Sequence, residues 1–281
     1  MNALSPALLQ IVQIYHQENR PIGVVEQISC SGKWLSVFGS ENQVGMAFNF
    51  SGEHAVYGNI DPLPLTKLQC FIGKNPVDLA RHLENKSDIL SLSLYLAVLN
   101  CLSNPLNNDY RLNKLGFVDS KCSVFDFVRE EDFVTVIGAG GVIRQLGQRR
   151  NIIHVSGMRP QSSLISLVIG KEIAQYPENI VFHPVEDNAD LLACSDIVFI
   201  TGCALVNQTF FELMPLIKKA RIVCLFGPSA MILPDYLASL GVDYVHTVRI
   251  VDRDIFLTNQ TQRSKNNVES GVEYHLIKLK K

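Results

Sequence analysis

From Phe133 onward, short apolar runs rich in β-branched residues alternate with stretches that have helical spacing. The runs lie at residues 133–137, 151–155, 180–182, 197–200, 222–226 and 244–248. Strands that are apolar along their whole length are typical of a parallel sheet whose two faces are covered by helices. This half of the chain is therefore predicted to form a Rossmann-like α/β domain.

The N-terminal part of the chain has a different pattern. Apolar residues at helical spacing predict a helix that begins at an N-cap, Ser5, and ends near Glu18. Three strand-like segments follow at residues 24–29, 34–39 and 45–50, and the turns between them have hairpin length. We expect these segments to form a small antiparallel meander.

Two further helices are predicted after the meander. Pro76 starts one that extends to about Glu84, because proline suits the first helical turn, and Asp88 caps a second one through about Leu102. The stretch beyond it is polar and irregular in pattern. The chain is thus predicted to consist of a smaller α+β domain at 1–104, a linker at 105–124 and the Rossmann-like domain at 125–281.

Composition and charge exclude several classes of partner. The chain has 25 basic and 27 acidic residues and a formal net charge of −2, so it lacks the concentrated basic face that nucleic acid requires. The longest apolar stretch, residues 89–102, is broken by polar residues and is shorter than the ~20 residues that span a bilayer. We therefore expect neither nucleic acid nor a membrane as partner, and a homodimer remains the common default for the oligomeric state.

The seven cysteines are scattered along the chain and form no C-x-x-C pair. Such an odd, widely spaced set is typical of reduced thiols rather than of a disulfide framework. The sequence therefore predicts a cytoplasmic protein.

The first strand of the predicted sheet is followed by Gly138-Ala139-Gly140-Gly141. Ligands of open parallel sheets bind beyond the carboxyl ends of the strands, and glycines there let the backbone approach an anion. However, Ile143 stands where a G-x-G-x-x-G motif has its last glycine, and the second strand ends in Ser156-Gly157 rather than in an acid that would bind ribose. Both a nucleotide-binding turn and a plain strand-to-helix connection therefore stay open.

Polar or flexible residues also follow two later strands. These residues are Thr201, Gly202, Asn207 and Thr209 after one strand, and Gly227, Pro228 and Ser229 after the next. Asn207 or Thr209 could cap a helix, which does not explain the whole group. A serine-hydrolase elbow is not favoured, because Met231 replaces the last glycine of G-x-S-x-G.

Residues 196–209, D-I-V-F-I-T-G-C-A-L-V-N-Q-T, together with G-P-S-A at 227–230, resemble the DUF364 family, labelled "putative heavy-metal chelation". Members usually carry an adjoining DUF4213 region. The resemblance covers roughly residues 125–255 and extends more loosely into the N-terminal part. It implies a Rossmann-like domain joined to an enolase-N-terminal-like domain, with a cleft between the two.

By this resemblance, the T-G-x-x-x-x-N-x-T and G-P-S motifs supply the ligand-binding residues, which are Thr201, Gly202, Asn207, Thr209, Gly227, Pro228 and Ser229. The glycine turn adds Gly138, Gly140 and Gly141 as candidate contacts. This glycine-rich turn and the missing acid near Gly157 depart from the family pattern, which leaves the identity of the ligand open.

Candidate metal ligands near the strand ends are His154, His183 and Cys203, because transition metals favour imidazole and thiolate donors, and His183 is the best single candidate. Glu186, Asp187 and Asp190 follow closely behind His183 in the sequence. Glu53 and His54, adjacent in a polar N-terminal loop, are candidate cleft contacts, and so is Asn100. The cofactor is unknown, with a transition metal or a metal chelate as the leading candidates.

Three functions remain open. The leading hypothesis is that the protein binds a small anionic or metal-chelating molecule in the interdomain cleft, in metallophore or cofactor metabolism or in heavy-metal handling. The second is a nucleotide-dependent enzyme, an oxidoreductase or a methyltransferase-like protein, that uses the turn at 138–141. The third is a non-catalytic binding or scaffold protein. A Rossmann-like fold hosts all three classes.

Overall fold

The computed structural model of the chain has the α/β architecture that the pattern predicts. It describes residues 2–52, 55–120, 123–138, 140–158, 166–169, 172–175, 178–261 and 271–279. A three-stranded antiparallel sheet with helices forms the N-terminal part, and an eight-stranded, mostly parallel sheet forms the C-terminal part. The predicted fold class is therefore confirmed.

The N-terminal part combines the predicted meander with three helices. Its elements are α1 (Ser5–Gln17), β1 (Val25–Ser31), β2 (Trp34–Gly39), β3 (Val44–Phe48), α2 (Pro76–Leu83) and α3 (Ile89–Ser103). Every residue of β2 and β3 is buried. Gly45 of β3 lies so close to α3 that a Cβ atom would clash with the backbone of Ala97 and Cys101. Only glycine allows this strand to pack so closely on the helix.

Helix α3 is the central helix of the N-terminal part. Asp88 caps it as predicted, because its carboxylate accepts a hydrogen bond from Ser91 N at 2.9 Å. Together with the 3₁₀ turn Asn104–Leu106, the helical stretch Ile89–Leu106 is long and apolar enough to cross a membrane, which the interrupted pattern did not predict. However, 83% of it is buried inside the protein, as is typical of a core helix.

Two local predictions need correction. Ser5 is the first residue of α1 rather than its N-cap; its side chain is buried, and Leu4 stands at the N-cap without a capping side chain. The segment predicted as an irregular linker contains a helix and a strand, α4 (Asp109–Lys114) and β4 (Val118–Ser120). Because β4 pairs with the large sheet, this segment is part of the fold, and the domain limits at 104 and 125 stay predictions.

The large sheet contains the six predicted apolar strands and two antiparallel strands at one edge. The remaining strands are β5 (Val134–Ile137), β6 (Ile153–Ser156), β7 (Ser166–Ile169), β8 (Glu172–Gln175), β9 (Ile180–His183), β10 (Ile197–Thr201), β11 (Ile222–Phe226), β12 (Tyr244–Ile250) and β13 (Val272–Lys278). The order is β4-β13-β12-β11-β10-β5-β6-β9, while β7 and β8 form a separate hairpin. The strand order reverses between β5 and β10, which places the expected ligand position at their carboxyl ends.

Helices of the C-terminal part are short. They are α5 (Gly141–Leu146), α6 (Asn188–Cys194), α7 (Cys203–Val206), α8 (Phe210–Leu213), α9 (Pro234–Ser239) and α10 (Arg253–Thr261). A single cluster of buried apolar side chains extends from α1, β2 and α3 to one face of the large sheet, where it includes Ile200 and Val223. The two parts of the chain therefore share a core, and their relative position is fixed by packing.

Candidate functional site

Three strand ends meet at the position where the strand order reverses. Gly138, after β5, has a φ of +93°, and a Cβ atom there would lie 2.9 Å from Cβ of Thr201, the last residue of β10. Gly157, after β6, lies against Gly138, because a Cβ atom added at Gly157 would lie 3.5 Å from the Cα atom of Gly138. These glycines let β5, β6 and β10 end close together, so packing between the strand ends already accounts for Gly138 and Gly157.

The rest of the glycine turn is more open to solvent. A Cβ atom on Gly140 would lie 3.1 Å from the Phe226 ring, whereas one on Gly141 would meet open space. Both residues are exposed, and Ala139 lies outside the described residues. Helix α5 has only six residues, which gives a weaker dipole and anion site than a longer helix would have.

The side chain of Tyr57 crosses from the N-terminal loop to this edge of the sheet. Asn207 Nδ2 donates a hydrogen bond to the Tyr57 hydroxyl oxygen at 2.6 Å, and that hydroxyl lies 3.2 Å from Met158 Sδ. The Tyr57 ring packs against Phe50, with 5.5 Å between the ring centroids. Tyr57 thus lies where the interdomain cleft implied by the family resemblance would open, between the N-terminal loop and the residues that follow β6 and β10.

The T-G-x-x-x-x-N-x-T motif positions Asn207 for this contact. Asn207 Oδ1 accepts hydrogen bonds from Thr209 N at 3.2 Å and from Thr209 Oγ1 at 2.8 Å. Because Thr209 occupies the amide oxygen, the amide nitrogen turns toward Tyr57. Neither side chain caps α8 in the way that the sequence suggested, since the N-cap of α8 has no side-chain hydrogen bond.

The Tyr57 hydroxyl is held in its protonated form. Its pKa is raised because the ring is partly buried; the bond from Asn207 works in the opposite direction and nearby Cys203 adds to the increase. At neutral pH this hydroxyl is therefore a donor as well as an acceptor. Sequence reasoning singled out the polar loop around this residue but did not identify Tyr57, because its partner lies 150 positions away.

The G-P-S motif connects the two parts of the chain. Phe48 N donates to Ser229 Oγ at 3.0 Å, and Asn100 Nδ2 donates to Ser229 O at 3.0 Å and to Met46 O at 2.7 Å. Asn100 is fully buried and Ser229 is 2% exposed. These contacts satisfy the Asn100 amide nitrogen and hold Ser229, whereas the buried Asn100 amide oxygen has no hydrogen-bond partner among the described residues.

The glycines and proline around this motif also have structural roles. Gly227 has a φ of +98°, and Pro228 begins the 3₁₀ turn Pro228–Ala230. A Cβ atom on Gly202 would lie 2.8 Å from Ala230 N, so the turn after β10 packs directly on the turn after β11. Close approach of two backbones explains these residue types at these positions.

The candidate metal ligands His183 and Cys203 lie on strands that are not neighbours in the sheet. His183 ends β9, whereas Cys203 follows β10, and three strand spacings separate those strands in the sheet order. At about 4.8 Å per spacing the two lie on the order of 14 Å apart, too far for one metal ion. His183 instead meets His154, as their ring nitrogens Nε2 and Nδ1 lie 3.0 Å apart.

Glu53 and His54, the other candidate cleft contacts, lie outside the described residues. Among the residues that the structure describes, no group of three or more histidine, cysteine, aspartate or glutamate side chains is placed to hold a metal ion. The described part of the cleft therefore offers sulfur, hydroxyl and amide groups from Met158, Tyr57 and Asn207, with the thiol of Cys203 nearby.

Comparison with known proteins points to one family. Residues 123–262 match the model of DUF364, described as "Putative heavy-metal chelation". Among curated proteins, the chain is 24% identical over 214 residues to "Uncharacterized protein MJ0500" of Methanocaldococcus jannaschii, a match covering 75% of this chain and 71% of that protein.

Two crystal structures of proteins of unknown function from the same family share the fold. The one from Pyrococcus horikoshii (PH1506) has a TM-score of 0.71 and 15% identity, and it covers 98% of this chain and 99% of its own. The one from Desulfitobacterium hafniense DCB-2 has a TM-score of 0.68 and 19% identity, with 96% and 98% covered. At this identity the likeness shows the fold alone.

Proposed function

Because the chain belongs to the DUF364 family, whose description is heavy-metal chelation, we propose that it binds a small metal-chelating or anionic molecule in the cleft beside Tyr57. The observation that carries the proposal is the bond from Asn207 to Tyr57 at 2.6 Å, made where the strand order reverses. This position is where open parallel sheets bind their ligands. A side chain from the other part of the chain completes the cleft there.

The donor groups of the cleft favour a chelate over a bare ion. The described residues provide no group of three strong metal ligands, whereas a bound chelate brings most of its own donors. The amide of Asn207, the hydroxyl of Tyr57 and the exposed backbone at Gly140 and Gly141 can form hydrogen bonds to carboxylate oxygens of such a molecule. The metal in this proposal is cargo carried by the ligand.

A nucleotide-dependent reaction has less support. Gly138 and Gly140 pack against Thr201 and Phe226, so the glycine turn is explained by contacts within the sheet. The strand β6 ends at Ser156, and Gly157 follows it, so this strand end supplies no acid for a ribose.

The six described free cysteines agree with our proposal of a cytoplasmic location, since thiols stay reduced there.

The test uses zinc citrate, free citrate and free Zn²⁺ as three separate probes in calorimetric titrations of the full chain. Asn207→Ala removes one hydrogen-bond donor and the contact with Tyr57, so zinc-citrate affinity should fall about tenfold. Tyr57→Phe should lower it by a smaller factor. Tyr110→Phe changes a tyrosine that is 79% exposed on α4, and it serves as the matched control.

The three probes separate the possible ligands. Binding of zinc citrate or citrate that weakens in both cleft variants supports the proposal, and the citrate arm shows whether the metal is needed. No binding of any probe, or equal affinity in wild type and Asn207→Ala, overturns it and favours a scaffold role. Circular dichroism and thermal melts verify that each variant is folded.

A further inference from the structure

Two imidazole rings face each other at the β6–β9 edge of the large sheet. His154 belongs to β6 and His183 to β9, and the register pairs His154 with Val181 and Ser156 with His183. His183 is therefore displaced by two residues along the neighbouring strand relative to the position opposite His154. The atoms His154 Nδ1 and His183 Nε2 lie 3.0 Å apart, which is a hydrogen-bonding distance for two neutral rings.

Neighbouring side chains fix the orientation of both rings. Asp187 Oδ2 lies 3.4 Å from His183 Nδ1, on the side of the ring opposite to His154. The Phe133 ring stacks on His154 with centroids 4.2 Å apart and an angle of 6° between the planes. The contact between Asp187 and His183 is longer than a hydrogen bond, but the carboxylate of Asp187 favours the tautomer of His183 that carries its proton on Nδ1, which leaves the lone pair of Nε2 on the side of His154.

This arrangement has the features of a metal half-site. A histidine that donates one ring N–H to a carboxylate and presents its other nitrogen is the usual form of a histidine metal ligand. Two nitrogens bound to one ion at about 2.0–2.1 Å, with an angle between about 90° and 109°, lie roughly 2.9–3.4 Å apart. The observed separation of 3.0 Å falls in this range, so rotation of the two side chains, which now point their nitrogens at each other, would direct both lone pairs at a shared ion.

We propose that His154 Nδ1 and His183 Nε2 together bind one borderline divalent transition-metal ion, with Asp187 as the positioning residue. Imidazole pairs suit Ni²⁺, Cu²⁺, Co²⁺ and Zn²⁺, and water or a small chelator fills the remaining positions. On binding, the proton of His154 moves from Nδ1 to Nε2 through solvent, so both rings stay neutral. The side chain of His183 is 22% exposed, which leaves the nitrogen pair within reach of solvent.

The half-site is separate from the Tyr57 cleft and does not depend on the proposed function. The cleft lies beside the residues that follow β6 and β10, whereas the histidines lie between β6 and β9 on the outer edge of the sheet. The strand β6 runs from His154 to Ser156 and leads on to Met158 in the cleft. Because His183 lies opposite Ser156, a metal ion bound at the edge is about two to four residues, or roughly 7–13 Å, along the strand direction from Met158.

The experiment is a calorimetric titration of the full chain with Ni²⁺ alone. Wild type should bind one ion, and the double variant His154→Gln/His183→Gln should lose at least about a hundredfold in affinity, because both nitrogen donors are removed. Controls are His16→Gln/His82→Gln, which removes two exposed helical histidines, Cys203→Ser and Tyr57→Phe. Each control should keep wild-type affinity, and Tyr57→Phe in particular distinguishes this site from the cleft.

A measurement on the wild-type chain keeps the proposal testable even where the double variant fails to fold. Imidazole ¹⁵N spectra recorded with increasing Zn²⁺ should show Nδ1 of one ring and Nε2 of another shifting together at one equivalent. Assignment of those rings to His154 and His183 supports the proposal. Ni²⁺ affinity that is unchanged in the folded double variant, or Zn²⁺ shifts confined to other histidines, overturns it.

Discussion

The two edges of the large sheet each place a pair of histidines near an aspartate, yet the two clusters differ in charge. The β6–β9 cluster consists of His154, His183 and Asp187. The β12–β13 cluster consists of His246, His275 and Asp119, in which His275 Nδ1 lies 3.3 Å from Asp119 Oδ2 and His246 stacks on Tyr274 with centroids 5.7 Å apart. The register pairs His246 with Leu276 and Thr247 with His275, so these two imidazoles leave their strands on opposite faces of the sheet, whereas His154 and His183 face each other. Residue composition alone would rate these two clusters as equal candidates for metal binding.

A further difference is an arginine. Arg249 lies 3.1 Å from Asp119 and 2.8 Å from Asp109, so its guanidinium neutralises the carboxylate beside His275. A divalent ion would have to displace or approach this fixed cation, at a high electrostatic cost. A groove of about 640 Å³ lies over this cluster and is lined by His246, His275 and Arg249, so the arginine cation faces any ion that would enter it.

The largest difference should appear when each histidine pair is removed in turn. His154→Gln/His183→Gln should reduce Ni²⁺ affinity by at least about a hundredfold, because both donors are lost. His246→Gln/His275→Gln should leave it unchanged, since the proposed ion does not touch that cluster. Calorimetry on the two double variants side by side measures the contrast, and an equal loss in both would show that the clusters are equivalent.

A smaller effect is expected from the two aspartates. Asp187→Asn keeps both metal nitrogens but weakens the orientation of His183, and loss of such a partner typically costs 10- to 100-fold in affinity. Asp119→Asn is the matched change at the other edge and should have no effect on Ni²⁺ binding. Full affinity in Asp187→Asn would remove Asp187 from its positioning role.

Removing the arginine should make the two edges more alike. In the His154→Gln/His183→Gln background, Arg249→Gln frees Asp109 and Asp119 from their cation and should create weak Ni²⁺ binding, with Kd on the order of millimolar. Arg249→Lys keeps the positive charge and should show no Ni²⁺ binding in the same titration. If neither variant binds, or both bind equally, the charge of Arg249 is not what separates the clusters.

Patterns along the chain predicted the strands well and the contacts between them poorly. The apolar runs place β10 and β11 to within a residue, because a strand covered on both faces must be apolar throughout. The pairing of His154 with His183 depends on β6 and β9 being neighbours, which only the three-dimensional order of the sheet determines. His154 and His183 were both named from their positions near strand ends, but their pairing was not predicted.

The motif residues also show that the sequence does not reveal the partner of a polar side chain. Ser229 and Asn100 stand out as polar groups in apolar surroundings, and this distinction is real. Their partners, however, are backbone groups across the boundary between the two parts of the chain, and Asn100 and Ser229 are 129 positions apart in sequence. A buried polar residue must be hydrogen-bonded, but its residue type does not tell whether the partner is the protein or a ligand.

The smallest expected effect is a pH dependence of stability at the β12–β13 cluster. The pKa values of His246 and His275 are both lowered, first because the rings are buried. The nearby His275 further lowers the pKa of His246. For His275 itself, Asp119 raises the pKa and Arg249 lowers it.

A histidine whose folded-state pKa is lowered binds fewer protons in the folded than in the unfolded chain. Its contribution to stability is therefore complete above the unfolded pKa of about 6.5 and is lost as the pH falls below that value. Urea unfolding at pH 7.5 and 5.5 should show a larger acid-induced loss of the free energy of unfolding for wild type than for His246→Gln/His275→Gln. An equal loss in both would mean that these rings titrate as they do in the unfolded chain, and that burial at this edge leaves them as easily protonated as exposed imidazoles.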